Sequence, residues 1–305
     1  MSKMQQVELT YKSYDTEETL DIIFYRPLGY YIALLCKKLS ITPNTVTLTS
    51  ILFGVIAGHL FFYNDIALNI TGIAFLVFAE TLDSADGQLA RLTGIRSKYG
   101  RVLDGFAGNI VFISIYVHVS MRMANEGSAG IWIIGIALIS AMSHSIQSAM
   151  ADLYRTAYLY FVLNKNSELD SPAEIKEKYQ SLTWKNDFFK KFLMLIYMGH
   201  SREQELLSKN FTKLCSAALK AFPESFPLWV SEEYKRLNKS LLKYYNILTT
   251  NTRMIVLFIS ILTGYLYIYF IFEITVLNLL LLLVNIKQER NNQKLYQQIN
   301  TITIK

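Results

Sequence analysis

Several apolar runs in this chain are long enough to cross a lipid bilayer. A helix needs about 20 apolar residues to span the hydrocarbon core, and runs of this kind occupy residues 46–63, 67–91, 100–123 and 130–160. A further run, 254–286, is too long for one span and is expected to break near Glu273. The sequence therefore predicts an all-α integral membrane protein with a six-helix transmembrane bundle.

Composition and charge agree with this class. Of the 305 residues 52% are hydrophobic and 18% are charged, and the formal net charge is +6. In a membrane protein such an excess belongs in cytoplasmic loops rather than on a nucleic-acid surface. Basic residues collect between the second and third runs and in the C-terminal tail, at Arg91, Arg96, Lys98, Arg101, Lys287, Arg290 and Lys294. The positive-inside rule then predicts both termini and this loop in the cytoplasm.

Three aspartates lie where the second and third apolar runs meet. Asp83 and Asp86 are three residues apart, so on one helix they share a face. Asp104 lies about one helical turn into the next helix. Carboxylates placed at membrane depth need a compensating charge, and hard cations take carboxylate ligands. The spacing therefore predicts a Mg²⁺ or Mn²⁺ site formed by these three side chains.

Two residues beside the aspartates suit phosphate. Gly87 leaves the Asp86 face without a side chain, so a ligand can approach the backbone closely. Arg91 adds a planar cation that matches phosphate oxygens. Glu80, three residues before Asp83, either supports the metal ligands indirectly or pairs with a cation elsewhere.

The whole stretch reads D-x2-D-G-x2-A-R-x8-G-x3-D from Asp83 to Asp104. It resembles the signature of the CDP-alcohol phosphatidyltransferases, membrane enzymes that make phospholipids by displacing CMP from a CDP-linked substrate. A weaker similarity covers residues 42–47. The resemblance implies a divalent metal on the three aspartates and a CDP pocket lined by Gly87, Ala90, Arg91 and Gly100.

The chain departs from the signature at one position. The family has a fourth aspartate four positions after the third, assigned as the general base, and here that position is Gly108. An alcohol is a poor nucleophile at neutral pH, so a base or a metal-activated alkoxide is needed. Three explanations stay open: Asp104 serves as both ligand and base, Asp152 supplies the base, or the site binds the CDP substrate with little or no turnover. Arg155, three residues after Asp152, either binds an anionic part of the acceptor or lipid, or forms an ion pair with Asp152.

The chain divides into five segments. Residues 1–45 are expected to be a cytoplasmic N-terminus whose segment 24–38 forms an amphipathic interfacial helix, with a short buried helix as the alternative. Residues 46–163 hold transmembrane helices 1–4 with the catalytic motif. Residues 164–250 are expected to be a cytoplasmic helical insert, in which 187–197 is too short to span and favours an interfacial helix. Helices 5 and 6 follow in 251–287, and 288–305 is a cytoplasmic tail.

The expected function is transfer of a phosphatidyl or phospho-alcohol group from a CDP-linked substrate to an alcohol, with release of CMP. The alternative is a non-catalytic or weakly active member that binds CDP-lipid. The expected partners are CDP-diacylglycerol or another CDP-alcohol, an alcohol acceptor and membrane lipids, with no nucleic acid, and a homodimer is left open.

Overall fold

The computed structural model describes residues 13–95, 98–127, 130, 132–164 and 172–303. These residues form helices and contain no strand, which confirms the all-α class for the described part of the chain. In chain order the helices are α1 Arg26–Lys38, α2 Pro43–Leu60, α3 Ile66–Thr93, α4 Lys98–Asn125, α5 Trp132–Leu163, α6 Pro172–Ser181, α7 Phe188–Leu207, α8 Lys209–Ala221, α9 Leu228–Ile247, α10 Thr250–Thr263, α11 Tyr267–Ile271 and α12 Leu277–Thr303.

Local capping fixes the ends of the two helices that lead to the aspartate motif. The Thr42 side chain accepts a hydrogen bond from the Thr45 amide (3.3 Å), and Pro43 occupies the first turn of α2, where no amide donor is needed. The Asp65 carboxylate accepts from the Leu68 amide at 2.9 Å and so starts α3. Gly94 ends α3 with φ of 72°, a left-handed conformation that glycine adopts without strain.

Five helical segments among the described residues are long and apolar enough to cross a membrane, which supports an integral membrane protein. They are Ile66–Thr93, Val102–Asn125, Trp132–Leu163, Leu228–Thr263 and Tyr267–Thr301. The first expected span, within α2, is not among them. Asn44 and several threonines in its first turns lower the hydropathy of a helix of only 18 residues.

The last two expected spans have different boundaries from those predicted. The break lies at Gly264, with φ of 78°, and not near Glu273. Glu273 sits in a π-helical turn, Phe272–Val276, and its carboxylate accepts from Arg253 Nε at 3.1 Å. Because both side chains are fully buried, this polar residue pairs across helices and does not end one. The helical segment that contains the fifth expected span also begins earlier than expected, at Leu228, within the predicted insert.

The chain folds as two compact units. The first contains the described residues up to His144 together with Thr250–Thr275, and the second contains Ser145–Thr249 and the residues from Val276 onward. In the first unit, glycines bring α2 close to its neighbours. A Cβ added at Gly58 would lie 2.5 Å from Ser114 Oγ of α4, and one at Gly72 would lie 2.7 Å from a ring carbon of Phe61. The aspartate motif therefore stands on tightly packed helices.

In the second unit, a single carboxylate joins three helices. Glu289 of α12 accepts the amide hydrogens of Asn210 (2.6 Å) and Phe211 (3.1 Å) at the N-terminus of α8. The Tyr154 hydroxyl of α5 donates to the same carboxylate at 3.0 Å. A negative charge at a helix N-terminus satisfies free amides and complements the helix dipole. Glu289 therefore acts as the N-terminal cap of α8.

Candidate active site

Three carboxylates converge near the C-terminal end of α3 and the start of α4. The ligand atoms of Asp83, Asp86 and Asp104 all lie within 4.8 Å of one another. Asp83 and Asp86 come from the same face of α3, and Asp104 comes from the second turn of α4. Asp86 is buried, with 3% of its surface exposed. The clustering is what the residue spacing predicted.

Helix α2 supports this cluster from a third direction. The Thr47 hydroxyl donates a hydrogen bond to the Asp86 carboxylate, and one turn further along α2 the Ser50 hydroxyl donates to the Ala79 carbonyl at 2.9 Å. Thr47 is 3% exposed and Ser50 is 4% exposed, so both bonds are shielded from solvent. Thr47 belongs to the segment 42–47 that carries the weaker family similarity, and its contact gives that segment a physical role.

The residues expected to line the nucleotide pocket follow Asp86 on α3. A Cβ added at Gly87 would lie 3.4 Å from Nη2 of Arg91, so the missing side chain leaves room for the guanidinium. Arg91 and Ala90 are half-buried on α3, and Gly100 is half-buried in the first turn of α4. The structure therefore brings these four residues to the same helix ends as the aspartates.

Helix α1 and the segment before it contribute charged groups that were not predicted from the sequence. Arg26 donates from Nη2 to Glu17 Oε2 at 2.8 Å, and its carbonyl accepts from Gln88 Nε2 at 3.0 Å. Gln88 is a fully buried residue of the motif. Lys37, at the other end of α1, donates to the Leu92 carbonyl near the end of α3 at 3.1 Å. These bonds hold α1 against the motif helix at both ends.

Burial and neighbouring carboxylates together leave the pKa values of Arg26 and Tyr25 raised. Burial lowers the pKa of Arg26, but Glu17 outweighs it, helped by Asp21 and Asp83, so the pKa is raised and the guanidinium stays charged. Burial, reinforced by the carboxylates of Glu80, Asp21 and Glu18, raises the pKa of Tyr25 well above its ordinary value. The Tyr25 phenol therefore remains neutral at physiological pH.

Gly108 leaves open space at the position of the fourth aspartate of the family. No atom lies within 4 Å of a Cβ added there, and the residue is exposed on α4, one turn after Asp104. Asp152 is exposed and Arg155 is half-buried on α5, and both belong to the second unit. Glu80 is half-buried on α3 and interacts electrostatically with Asp83, Asp21 and Arg26. Glu80 thus lies near the Arg26 cation as well as near a carboxylate of the candidate metal site.

The family model described as CDP-alcohol phosphatidyltransferase matches residues 40–168. The matched segment contains α2 to α5 and every residue of the aspartate motif. This part of the chain is therefore similar to the CDP-alcohol phosphatidyltransferase family, whose members transfer groups from CDP-alcohols with the help of a divalent metal. No curated protein gives a significant match to the chain.

The donor set fits a hard divalent cation. The cluster consists of carboxylate oxygens only, drawn from two helices within 4.8 Å, as Mg²⁺ and Mn²⁺ favour. Sequence reasoning missed Thr47 and Arg26 as neighbours of the site, because they are 39 and 57 residues away from Asp86 and Asp83 in the chain. Thr47 could have been found from its motif segment, whereas Arg26 carries no sequence signal that connects it to Asp83.

Proposed function

We propose that this protein transfers a phosphatidyl or phospho-alcohol group from a CDP-linked substrate to an alcohol acceptor and releases CMP. The observation that carries the proposal is the convergence of Asp83, Asp86 and Asp104 within 4.8 Å at the end of two membrane-length helices. The family match over the same helices supports it. We assign the activity to lipid synthesis, since helices long and apolar enough to cross a bilayer would hold the site at the membrane, where lipid substrates are found.

The three aspartates would hold Mg²⁺ or Mn²⁺. A divalent cation at that position would neutralise the pyrophosphate and stabilise CMP as the leaving group. Asp86 is held in orientation by the Thr47 hydroxyl, which fixes one ligand before substrate binds. Gly87 gives a phosphate access to the helix backbone, and Arg91 presents its guanidinium beside it. The charged Arg26 limits the excess negative charge around Asp83.

Deprotonation of the acceptor has two candidate groups in the chain. Asp104 lies in the metal-type cluster and would accept the proton directly. Asp152 is solvent-exposed on α5, close in sequence to Arg155, which would bind an anionic part of the acceptor or lipid. Asp152→Asn separates the two, because it lowers the rate of CMP release only if Asp152 is the base. Loss of a general base costs about 10²- to 10⁴-fold in rate.

The open space at Gly108 favours a second candidate function. With no carboxylate at this position, the protein would bind CDP-lipid with little or no turnover. Metal-dependent CMP release by the purified protein, tested with CDP-diacylglycerol and a panel of alcohols, decides between the two. Asp86→Asn is the matched negative variant. Binding of CDP-lipid that depends on metal, without CMP release from any pair, would support the non-catalytic member and reject the transferase.

We also propose α2 as the sixth span. Its 18 residues make a helix of about 27 Å, close to the hydrocarbon thickness of about 30 Å. Contacts between α2 and α3 run from Phe61 and Gly72 at one end to Thr47 and Asp86 at the other. Since α3 is itself a candidate span, α2 shares its depth over this distance.

Six spans would put both termini on the same side of the membrane, and we propose that this side, with the aspartate site, is the cytoplasm. The basic loop between α3 and α4 and the basic residues of the tail support this orientation. In a variant with Cys36 and Cys215 replaced by serine, a cysteine at position 98 should be labelled only from the cytoplasm. A cysteine at position 127 should be labelled only from the opposite side, and the reverse pattern would reject the orientation.

A further inference from the structure

The turn before α7 and the first half of that helix expose a row of aromatic side chains. The exposed fractions are 44% for Trp184, 64% for Phe188, 56% for Phe189 and 41% for Phe192. Leu195 continues the row, since positions 188, 192 and 195 share one face of a helix. On the other side of α7, Leu193 and Met194 are buried. We call the exposed residues Trp184, Phe188, Phe189, Phe192 and Leu195 the aromatic face of α7.

This face is held in place by the residues around it. The Trp184 and Phe188 rings lie 5.6 Å apart, and the Phe188 and Phe192 rings are parallel at 6.4 Å. Lys191 Nζ donates to the Leu182 carbonyl at 2.6 Å and lies 5.7 Å from the centre of the Trp184 ring. The turn before α7 is therefore braced, and the aromatic rings form one ordered surface.

Lysines border the aromatic face. Lys185 is exposed, and the Lys190 side chain is 54% exposed with its Nζ 4.0 Å from Asp187. An exposed ion pair at that distance contributes little, and at this exposure the Lys190 side chain can reach anions at a membrane surface. Aromatic rings bordered by lysines are typical of helices that lie in the headgroup region of a bilayer. Anionic lipid phosphates are the complementary charge for Lys185 and Lys190.

The C-terminal end of α7 contacts α5. Within the second unit, the Ser145 hydroxyl of α5 donates to Glu203 at 3.1 Å, and Gln204 Nε2 of α7 donates to the Ala149 carbonyl at 2.9 Å. A helix crosses the hydrocarbon core in about 20 residues, so a span that starts at Trp132 reaches the other boundary close to residue 151. Ser145 and Ala149 lie within two turns of that boundary. The C-terminal end of α7 is thus attached to α5 near the membrane surface.

We propose that the aromatic face of α7 inserts shallowly into the membrane surface, with Lys185 and Lys190 on anionic lipid headgroups. The face lies beyond residue 168, outside the segment that matches the family. It is independent of the aspartate chemistry and would anchor the second unit to the bilayer whether or not the protein is a transferase. The spans already tether α7 to the membrane, so its effective concentration at the surface is high.

Tryptophan quenching tests the proposal in the full chain, which has only three tryptophans. The variant Trp132→Phe/Trp229→Phe leaves Trp184 as the reporter. Trp132→Phe/Trp184→Phe leaves Trp229, which lies beside charged residues, including Glu232 and Arg236, and serves as control. Both are placed in nanodiscs of phosphatidylcholine and phosphatidylglycerol. Lipid brominated near the top of the acyl chains should quench Trp184 more than Trp229, and aqueous iodide should do the opposite.

The charge contribution is tested separately. Lys185→Gln/Lys190→Gln should lower the ratio of membrane-inserted to free aromatic face, measured by the quenching of Trp184, by about fivefold per lysine. This change is equivalent to about 1 kcal/mol for each lysine. The effect should disappear in discs of phosphatidylcholine alone. Lys235→Gln/Lys239→Gln, the same charge change on exposed positions of α9, should leave the ratio unchanged. Equal iodide quenching of Trp184 and Trp229 would overturn the proposal. So would a Trp184 shielded from both quenchers in a protein of dimer mass, because a second copy would then cover the face.

Discussion

Repulsion among the three aspartates should make the stability of this protein depend on a divalent cation. One substitution in the cluster should raise the stability without metal and remove most of the stabilisation by metal. Two unit charges 4.8 Å apart, the largest separation of ligand atoms in the cluster, repel by about 3.5 kcal/mol at an effective dielectric constant of about 20. Replacing Asp86 with asparagine removes two of the three pairs, about 7 kcal/mol if both pairs are at this separation and all three carboxylates are ionised. The asparagine carbonyl can still accept the Thr47 hydrogen bond.

Asp86→Asn is therefore expected to change stability in opposite senses with and without metal. In EDTA the variant should unfold at a higher temperature than the wild type, because the repulsion is relieved. In Mg²⁺ the wild type should gain about 2.7 kcal/mol when the cation is 100-fold above its dissociation constant. That gain corresponds to a rise of about 5 °C or more in Tm. The variant should lose most of this rise because it lacks one ligand.

Thermal unfolding of the purified protein in detergent, followed by tryptophan fluorescence in EDTA, Mg²⁺ and Mn²⁺, measures both effects. Glu232→Gln, which neutralises an exposed carboxylate of α9, is the matched control and should keep the full metal response. A wild-type Tm that ignores metal would refute the reasoning. An Asp86→Asn variant that is less stable than wild type in EDTA would refute the repulsion argument specifically.

Three further predictions concern glycines and a buried ion pair. Gly108→Asp should raise CMP release if the enzyme lacks its base, because the position is open; lower release with the native acceptor would show that the space serves the acceptor instead. Gly58→Ala should cost about 1–3 kcal/mol of stability by overpacking against α4, whereas Gly135→Ala, in open space on α5, should gain up to about 1 kcal/mol; equal Tm shifts would contradict this. Glu273→Leu should cost about 3–5 kcal/mol by removing the carboxylate that neutralises the buried Arg253, and Arg253→Met/Glu273→Leu should recover most of it; no recovery would mean that packing at position 273 dominates.

Residue spacing predicted the aspartate cluster because the relevant geometry is local. Asp83 and Asp86 share a helix face by periodicity alone, and α4 begins only four residues after Gly94 ends α3, so that Asp104 lies close to them. The apolar runs gave α3, α4 and α5 for the same reason, since a helix in lipid must satisfy its own backbone. Features that depend on one helix or on two neighbouring helices could therefore be predicted from the sequence.

Features that depend on contacts between residues far apart in the sequence could not be predicted. Arg26 and Lys37 bond to the motif helix across 62 and 55 residues, and hydropathy contains no information about such contacts. Glu273 misled the sequence argument because a lone acidic residue in an apolar run resembles a break. Its partner Arg253 is 20 residues earlier, and only the folded structure places the two charges together at 3.1 Å.

The open position at Gly108 and the placement of Arg26 bear on the same question, which is how the site handles negative charge. A fourth carboxylate at 108 would lie one turn from Asp104 and add repulsion to a cluster that already contains three. The chain instead has a neutral residue there, and near Asp83 it adds the guanidinium of Arg26, whose pKa is raised by Glu17, Asp21 and Asp83 against the effect of burial. The net charge around the aspartate cluster is thus less negative than the residues of the family signature alone would give. A site of this kind binds its cation against weaker internal repulsion, and it must obtain a base from Asp104 or from outside the motif if it turns over.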